Sequence, residues 1–399
     1  MSGFLAPYRV LDLTDERGLL AGQMLAKLGA DVIQVEPPEG SSARRVGPFA
    51  DDAPAGDNSL FWSAYAAGKR GIRLDLASEA GRAKLAELAM TADFLFESGA
   101  QPLDLAALRA ANPRLITVSI TAFGSTGPKA GYAAADLTLW AAGGPLLPSR
   151  DGPGAPLAIS VPQSWLHAAS DAADAAMIAH FARVASGRGQ HVEITAQASV
   201  AQATLSHILS EPIGHTGFSL GPASGPKPKK KELDLSGSGS RTRRNKWTVR
   251  DGLAELNLGP GPAAGRFTNN LMAWMKAEGA LSPEFHGWDW ITLPPRILSG
   301  EISDEALERV REEVATHLAQ FSKQELSALA IKHKLLLAPL MTMADLLASE
   351  HNAARQNFVT LEEASGARRT VPGSFVKGVP PVALRPAPAL GEHDAEILA

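Results

Sequence analysis

The chain of 399 residues contains no cysteine. That single absence removes disulfides, thiolate nucleophiles and cysteine-based zinc or iron–sulfur sites together. No apolar run approaches the roughly 18 residues needed to span a bilayer, so a membrane-crossing helix is not expected. Positive charge is not in excess: 38 Lys and Arg face 42 Asp and Glu, a net charge of −4. There is then no global attraction to nucleic acid or to an anionic membrane, and any anion site must be local. The N-terminus, MSGFLAPYRVLDLTDERG, lacks the basic region, apolar core and small-residue cleavage site of a signal peptide. A soluble, cytoplasmic protein without nucleic-acid or membrane partners is expected. A last absence is local: residues 152–170, GPGAPLAISVPQSWLHAAS, hold neither Asp nor Glu.

What is present reads as globular. Apolar residues make up 45% and charged residues 20%, and the length exceeds what one core comfortably serves, so two domains are expected. Residues 8–13 (YRVLDL), the helical pattern LLAGQMLAKLG closed by Gly29, and DVIQV (31–35) give strand, helix, strand with short connections. This is the arithmetic of a right-handed βαβ unit. The theme returns in GIRLDL (71–76), a helix from Ser78 to Met90 capped by Ser78, ADFLFES (92–98), a helix near 103–111 and RLITVSITAFG (114–124). An open α/β sheet of Rossmann-like type, helices on both faces, is the expected fold class. An Ala-rich helix over 165–185 and a strand HVEITA (191–196) follow. Residues 216–245, rich in Gly, Pro, Ser and basic side chains, read as a linker. Beyond them a smaller α+β domain is expected over 246–335, opening with the hairpin KWTVRDGLAELNL. Residues 336–399 are expected to return to the large domain begun by 1–215.

Four blocks carry a resemblance: VLDLTDERGLLAGQMLAKLGADVIQVEPPEG (10–40), GKRGIRLDLASEAGRAKLAEL (68–88), NPRLITVSITAFGSTGP (112–128) and SGRGQHVEITAQ (186–197). In this order they resemble the family III CoA-transferases, the CaiB/BaiF group, nearly end to end. The resemblance implies a Rossmann-like domain built from both ends of the chain, a small domain and an interlocked dimer. It implies transfer of CoA from an acyl-CoA to a carboxylic acid through a buried Asp that attacks the thioester, and no metal. Covalent attack divides one difficult exchange into easier steps.

Counted back from GRGQ, the family's nucleophilic Asp falls within Pro162, Gln163, Ser164 and Trp165, at or near Trp165. None of these is a carboxylate. Gln163 is a neutral amide, and Ser164 would need a base such as His167 beside it. Asp171 is the fallback nucleophile and Asp174 the next carboxylate. The racemases of the family use a His that would fall on Ala135, beside Asp136, so that pair is missing too. For CoA, the resemblance points to Arg17 in TDERG, to Lys69 and Arg70 in GKRG, and to Ser98 and Gly99 in FESGAQ. Pro37 replaces a basic nucleotide contact. Gly237 and Gly239 in SGSGS match by position a mobile glycine loop over the thioester. Each has an ordinary alternative: solvated loop tips for the cations, a plain linker for SGSGS and for KPKKK (227–231). GPGPAAG (259–265) lacks the first-strand context of a dinucleotide loop. Trp140, Trp165, Trp247 and the segment HGWDW (286–290) offer apolar surface for an acyl group or serve as core.

Three functions remain open. The first is a CoA-transferase subunit that binds CoA or acyl-CoA and relies on a homologous Asp-bearing chain, as in the branch with two-subunit benzylsuccinate CoA-transferases that use succinyl-CoA. The second is a self-sufficient homodimer with a displaced nucleophile. The third is a non-catalytic acyl-CoA-binding protein.

Overall fold

Strand β1 (Arg9–Asp12) is buried on both faces because alternate side chains enter different cores. Val10 joins one cluster and Leu11 another. Helix α1 (Leu19–Lys27) follows, and the chain turns at Gly29, whose φ of +101° suits glycine, into β2 (Asp31–Glu36). After α2 (Leu60–Tyr65) come β3 (Arg70–Arg73), α3 (Glu79–Ala89), β4 (Phe94–Glu97), α4 (Leu105–Ala111) and β5 (Ile116–Thr121). Helix α3 is N-capped by Ser78 through the Gly81 amide, as its sequence suggested. Then α5 (Asp136–Gly143) and α6 (Ser164–Ser186) lead to β6 (His191–Thr195) and α7 (Ala196–Ala201). The computed structural model describes residues 3–50, 58–99, 103–146, 157–210, 212, 245–363, 366–378 and 382–399. The expected linker, with Gly237, Gly239 and KPKKK, lies outside them.

The strands form one parallel six-stranded sheet in the order β3-β2-β1-β4-β5-β6, which bears out the Rossmann-like reading. One face, with Val10, Val32, Phe94, Phe96 and Ile116, packs on Leu25 of α1 and on the alanine face of α6. The other, with Leu11, Ile33, Ile72 and Leu95, packs on Leu85 and Leu88 of α3. Each large apolar side chain fully buried in this way contributes roughly 1.5–3 kcal/mol. Ala168, Ala172, Ala176 and Ala179 recur at helical spacing and are buried, so α6 approaches the sheet closely.

A buried ion pair fixes the end of β1. Lys69 Nζ donates to Asp12 Oδ2 at 2.7 Å, to the Leu19 carbonyl at 2.9 Å and to Gln34 Oε1 at 2.9 Å. Both charged side chains are fully buried. Asp12 Oδ1 accepts from the Thr14 amide and hydroxyl. Gly22 is required here, because a Cβ would meet Asp12 Oδ2 at 2.0 Å.

The chain divides into two units: residues 1–150, 154–221 and 350–399 form one, and 151–153 with 222–349 the other. In the second, β7 (Lys246–Val249) and β8 (Gly252–Leu256) make the expected hairpin, turning at Arg250 and Asp251. Helices α8 (Gly265–Ala277), α9 (Leu293–Leu298), α10 (Asp304–Leu318) and α11 (Lys323–His333) follow. Trp247, Trp274 and Trp290 are buried among them as core. Strand β9 (Leu337–Leu340) pairs antiparallel with β8, so this unit continues to Ser349, past the boundary expected at 335. The first unit also holds an antiparallel pair, β10 (Phe358–Glu362) and β11 (Arg368–Pro372).

Two outcomes follow. Replacing Lys69 by Met leaves Asp12 charged, buried and unpaired, and is expected to cost about 3–5 kcal/mol in urea unfolding, with part regained on adding Asp12→Asn. Lys27, 8% exposed in the last turn of α1, has its pKa pushed down to about 8 by burial. Between that value and the ordinary 10.5 the unfolded chain binds the extra proton, so stability rises with pH across this window. Lys27→Met should flatten that slope and add up to about 3 kcal/mol below pH 8, read as melts at several pH values.

Candidate functional site

The sheet order reverses between β1 and β4, and loops leaving the two strands diverge there. In open α/β sheets that point carries the ligand crevice, beyond the carboxyl ends of the strands. A cavity of about 80 Å³ lies here, lined by Leu13, Thr14 and Asp15 after β1, by Val35, Glu36 and Pro37 at the end of β2, and by Ser41, Ser42, Leu76, Glu97 and Leu103. Its acids are largely committed. Glu36 is buried against Arg44, at 2.7 and 2.8 Å, and accepts from the Ser41 amide. Glu97 accepts from the Gly99 amide, and the lining Ser42 Oγ donates to Glu16, which is outside the lining.

The loop after β1 brings Arg17 and Ser98 together through Asp15. Arg17 reaches Asp15 with Nε at 2.9 and 3.1 Å and Nη2 at 2.6 Å. Ser98, buried, donates to Asp15 Oδ1 and accepts from the Asp15 amide. The hydrogen bond to Asp15 raises the Arg17 pKa, against the partial burial that lowers it. Gly99 adopts φ +72° with open space where a side chain would stand. Pro37, standing in place of the family's basic residue, lies on the cavity wall.

Lys69 and Arg70, expected from the resemblance to contact CoA, are engaged within the sheet and at its edge. Lys69 is 1% exposed and its donors are directed into the sheet. Its ammonium is a structural charge here, and burial lowers its pKa. Arg70 begins β3, pairs with Asp31 at the start of β2 and with Glu396, and so lies at the amino edge of the sheet, opposite the cleft. GKRG looked like a loop tip; its lysine instead folds inward and its arginine ties the C-terminal segment down.

The carboxylate-free segment begins α6. Gln163 is its N-cap residue, Ser164 is buried, and Trp165 packs partly buried against the large core; Pro162 is exposed. Asp136 Oδ1, arriving from α5, accepts from the Gln163 amide at 2.8 Å and the Ser164 amide at 2.7 Å. A helix N-terminus has unsatisfied amides and a partial positive charge, and a carboxylate satisfies both. Ser164 Oγ donates to the Asp136 carbonyl at 3.1 Å, while His167 is exposed and edge-on to Trp140. The Ser164–His167 relay is therefore not assembled. Asp171 is roughly 10 Å along the helix axis from Ser164 and accepts from Gln202 at 3.1 Å; Asp174 is exposed. Arg17 meets this helix head: its Cζ lies 5.8 Å from the centroid of the Trp165 ring.

Local spacing did not reveal two of these features. The Asp136 cap spans 27 and 28 residues of sequence, and the Arg17–Trp165 contact joins β1's loop to α6. Trp140 Nε1 is sheltered without a hydrogen-bond partner among the described residues.

Residues 5–232 and 285–394 match CoA-transferase family III. The chain is 32% identical over 407 residues to the BbsE subunit of succinyl-CoA:(R)-benzylsuccinate CoA-transferase from Thauera aromatica, covering 98% of this chain and 92% of that one. It is 28% identical to succinate–glutarate CoA-transferase of Agrobacterium fabrum, covering 99% and 95%. A solved CAIB/BAIF family protein from Brucella suis shares the fold at TM-score 0.76 and 23% identity, over 100% of this chain and 99% of that one.

Removing the carboxylate that caps α6 is expected to lower stability: Asp136→Ala by about 1–2 kcal/mol and Asp136→Asn, which keeps an acceptor oxygen, by about 0.5. Urea unfolding of the two variants beside the parent checks both the order and the size.

Proposed function

The chain belongs to CoA-transferase family III and is a CoA-transferase, and on that premise we propose that it acts as the non-attacking subunit of a succinyl-CoA-dependent enzyme. It binds acyl-CoA and a carboxylic acid acceptor of the dicarboxylic, aromatic-succinate kind, and a homologous Asp-bearing chain supplies the nucleophile. In that partner the carboxylate attacks the thioester carbonyl, the C–S bond breaks and CoA thiolate leaves. The thiolate then attacks the aspartyl carbonyl of the anhydride so formed, releasing the first acid; the acceptor carboxylate displaces CoA thiolate from the resulting aspartyl thioester to give a second anhydride, and the thiolate attacks its acceptor carbonyl, forming the new acyl-CoA and freeing the Asp carboxylate.

The observation that carries this reading is the head of α6. Gln163, Ser164 and Trp165 bring no carboxylate, and the one carboxylate drawn to the helix amides, Asp136, has an oxygen committed to two N–H donors. Similarity to a named subunit over almost the whole chain supports the same view. The cleft suits the nucleotide end of CoA, with Leu13, Val35, Leu76 and Leu103 as apolar walls and Thr14, Ser41 and Ser42 as hydroxyl partners for a ribose. The pantetheine arm would run to the α6 head past Arg17, Ser98 and Gly99; Gly237 and Gly239, matched by position to the family's glycine loop, lie outside the described residues.

Assembly is supported by the outer face of α6, where Ile178, Phe181 and Val184 are 70%, 81% and 72% exposed. An apolar stripe of this kind belongs against another chain, as the interlocked arrangement expected of the family would provide. A large domain drawn from both ends of the chain, a small one between, and a cytoplasmic setting without disulfides complete the proposal.

Intact-mass measurement after incubation with succinyl-CoA, with and without hydroxylamine, tests the reading. The expected outcome is no hydroxylamine-sensitive adduct on this chain, and an adduct on a homologous chain that co-purifies with it. An adduct on this chain alone would favour the self-sufficient enzyme instead, with Asp136 and Asp171 the positions to map.

A further inference from the structure

We propose that Arg17 is the specificity residue that receives the free carboxylate of a dicarboxylic acyl-CoA. The inference rests on the transferase reading above. Where the resemblance assigns a nucleophilic carboxylate, this chain has the indole of Trp165, and the guanidinium of Arg17 stands 5.8 Å from that ring's centroid. At that position a cation, held by Asp15, thus stands against an indole, while the anion at the helix head is the capping Asp136. A cation over an indole face is held by the ring quadrupole, and a guanidinium presents a planar fork that matches a carboxylate in two hydrogen bonds.

Arg17 already displays that pairing. Its Nε and Nη2 hold Asp15 at 2.6–3.1 Å, the geometry an incoming carboxylate would reproduce. Asp15 keeps other partners if the fork moves: it accepts from the Arg17 amide at 3.1 Å and from Ser98 Oγ at 3.0 Å. Arg17 is 30% exposed, so a ligand can reach it. The neighbouring acids Glu16 and Glu97 each have a donor of their own, Ser42 Oγ and the Gly99 amide; their charge keeps the gain modest.

The chemistry supplies the need. When one carboxyl of a dicarboxylic acid becomes a thioester, the other stays ionised. Bringing it to the half-buried wall of Trp165 without a cation would leave a charge stripped of water and unpaired. Among the described residues, Arg17 is the cation placed against that wall.

Equilibrium binding of CoA, succinyl-CoA and butyryl-CoA to the full chain tests this, since the two acyl groups match in length and differ in the terminal carboxylate. The parent should prefer succinyl-CoA by about tenfold. Arg17→Ala should bring that ratio close to one, whatever common change it makes in the affinity for CoA itself, and Arg17→Lys should keep part of it. Asp15→Asn, which removes the internal competitor, should raise the ratio, an effect that mere loss of structure would not produce. A preference that survives in Arg17→Ala, an equal loss for all three ligands, or intact CoA binding with no preference in the parent would each overturn the inference. Absence of CoA binding to the parent would instead sink the transferase-subunit reading, and this inference with it.

Discussion

The ion pair between Lys69 and Asp12 is the constraint on which the site end of the sheet depends. Two opposite charges with no exposure to water are tolerable only when their hydrogen bonds are satisfied. The structure meets that condition from three directions: Lys69 reaches across from the start of β3, Gln34 contributes from β2, and the Leu19 carbonyl from the first turn of α1. Gly22 leaves the room that Asp12 needs. With Thr14 also drawn onto Asp12, the loop after β1 has little freedom, and Asp15 and Arg17, which follow directly, inherit its position. A charge that reads from sequence as a ligand contact thereby orders the loop that carries Asp15 and Arg17.

The α6 head is ordered differently, by a carboxylate borrowed from α5. Asp136 fills the amide positions of Gln163 and Ser164, and in doing so ties two helices together at the place where Arg17 and Trp165 meet. For its bound oxygen to attack a thioester, both amide hydrogen bonds would have to be released and the helix end left uncapped. The cap thus holds that oxygen in a structural role.

Much of the first unit was legible because its signals are local. Strands β1, β2, β4 and β5 are short apolar runs joined by helices with caps or closing glycines, and a parallel sheet is what such alternation produces. Other features were not local, and there the sequence misled. GKRG carries two adjacent cations, and only the fold reveals that Lys69 enters the sheet while Arg70 stays at its amino edge. LLLAPL (335–340) is apolar enough for either sheet; pairing with β8 decides it. The dependence of α6 on Asp136 spans too many residues for any periodicity to show.

What the sequence lacks at 162–165 and what the structure supplies there belong to one argument. A helix head with no carboxylate of its own has amide groups that still need an acceptor, and Asp136 supplies it; Trp165 packs partly buried beside it. A cation is favoured over an indole face and an anion is not, and Arg17 sits accordingly. The indole and the guanidinium thus meet at the helix end that Asp136 caps, so packing, capping and charge at the α6 head are set by residues from three separate parts of the chain.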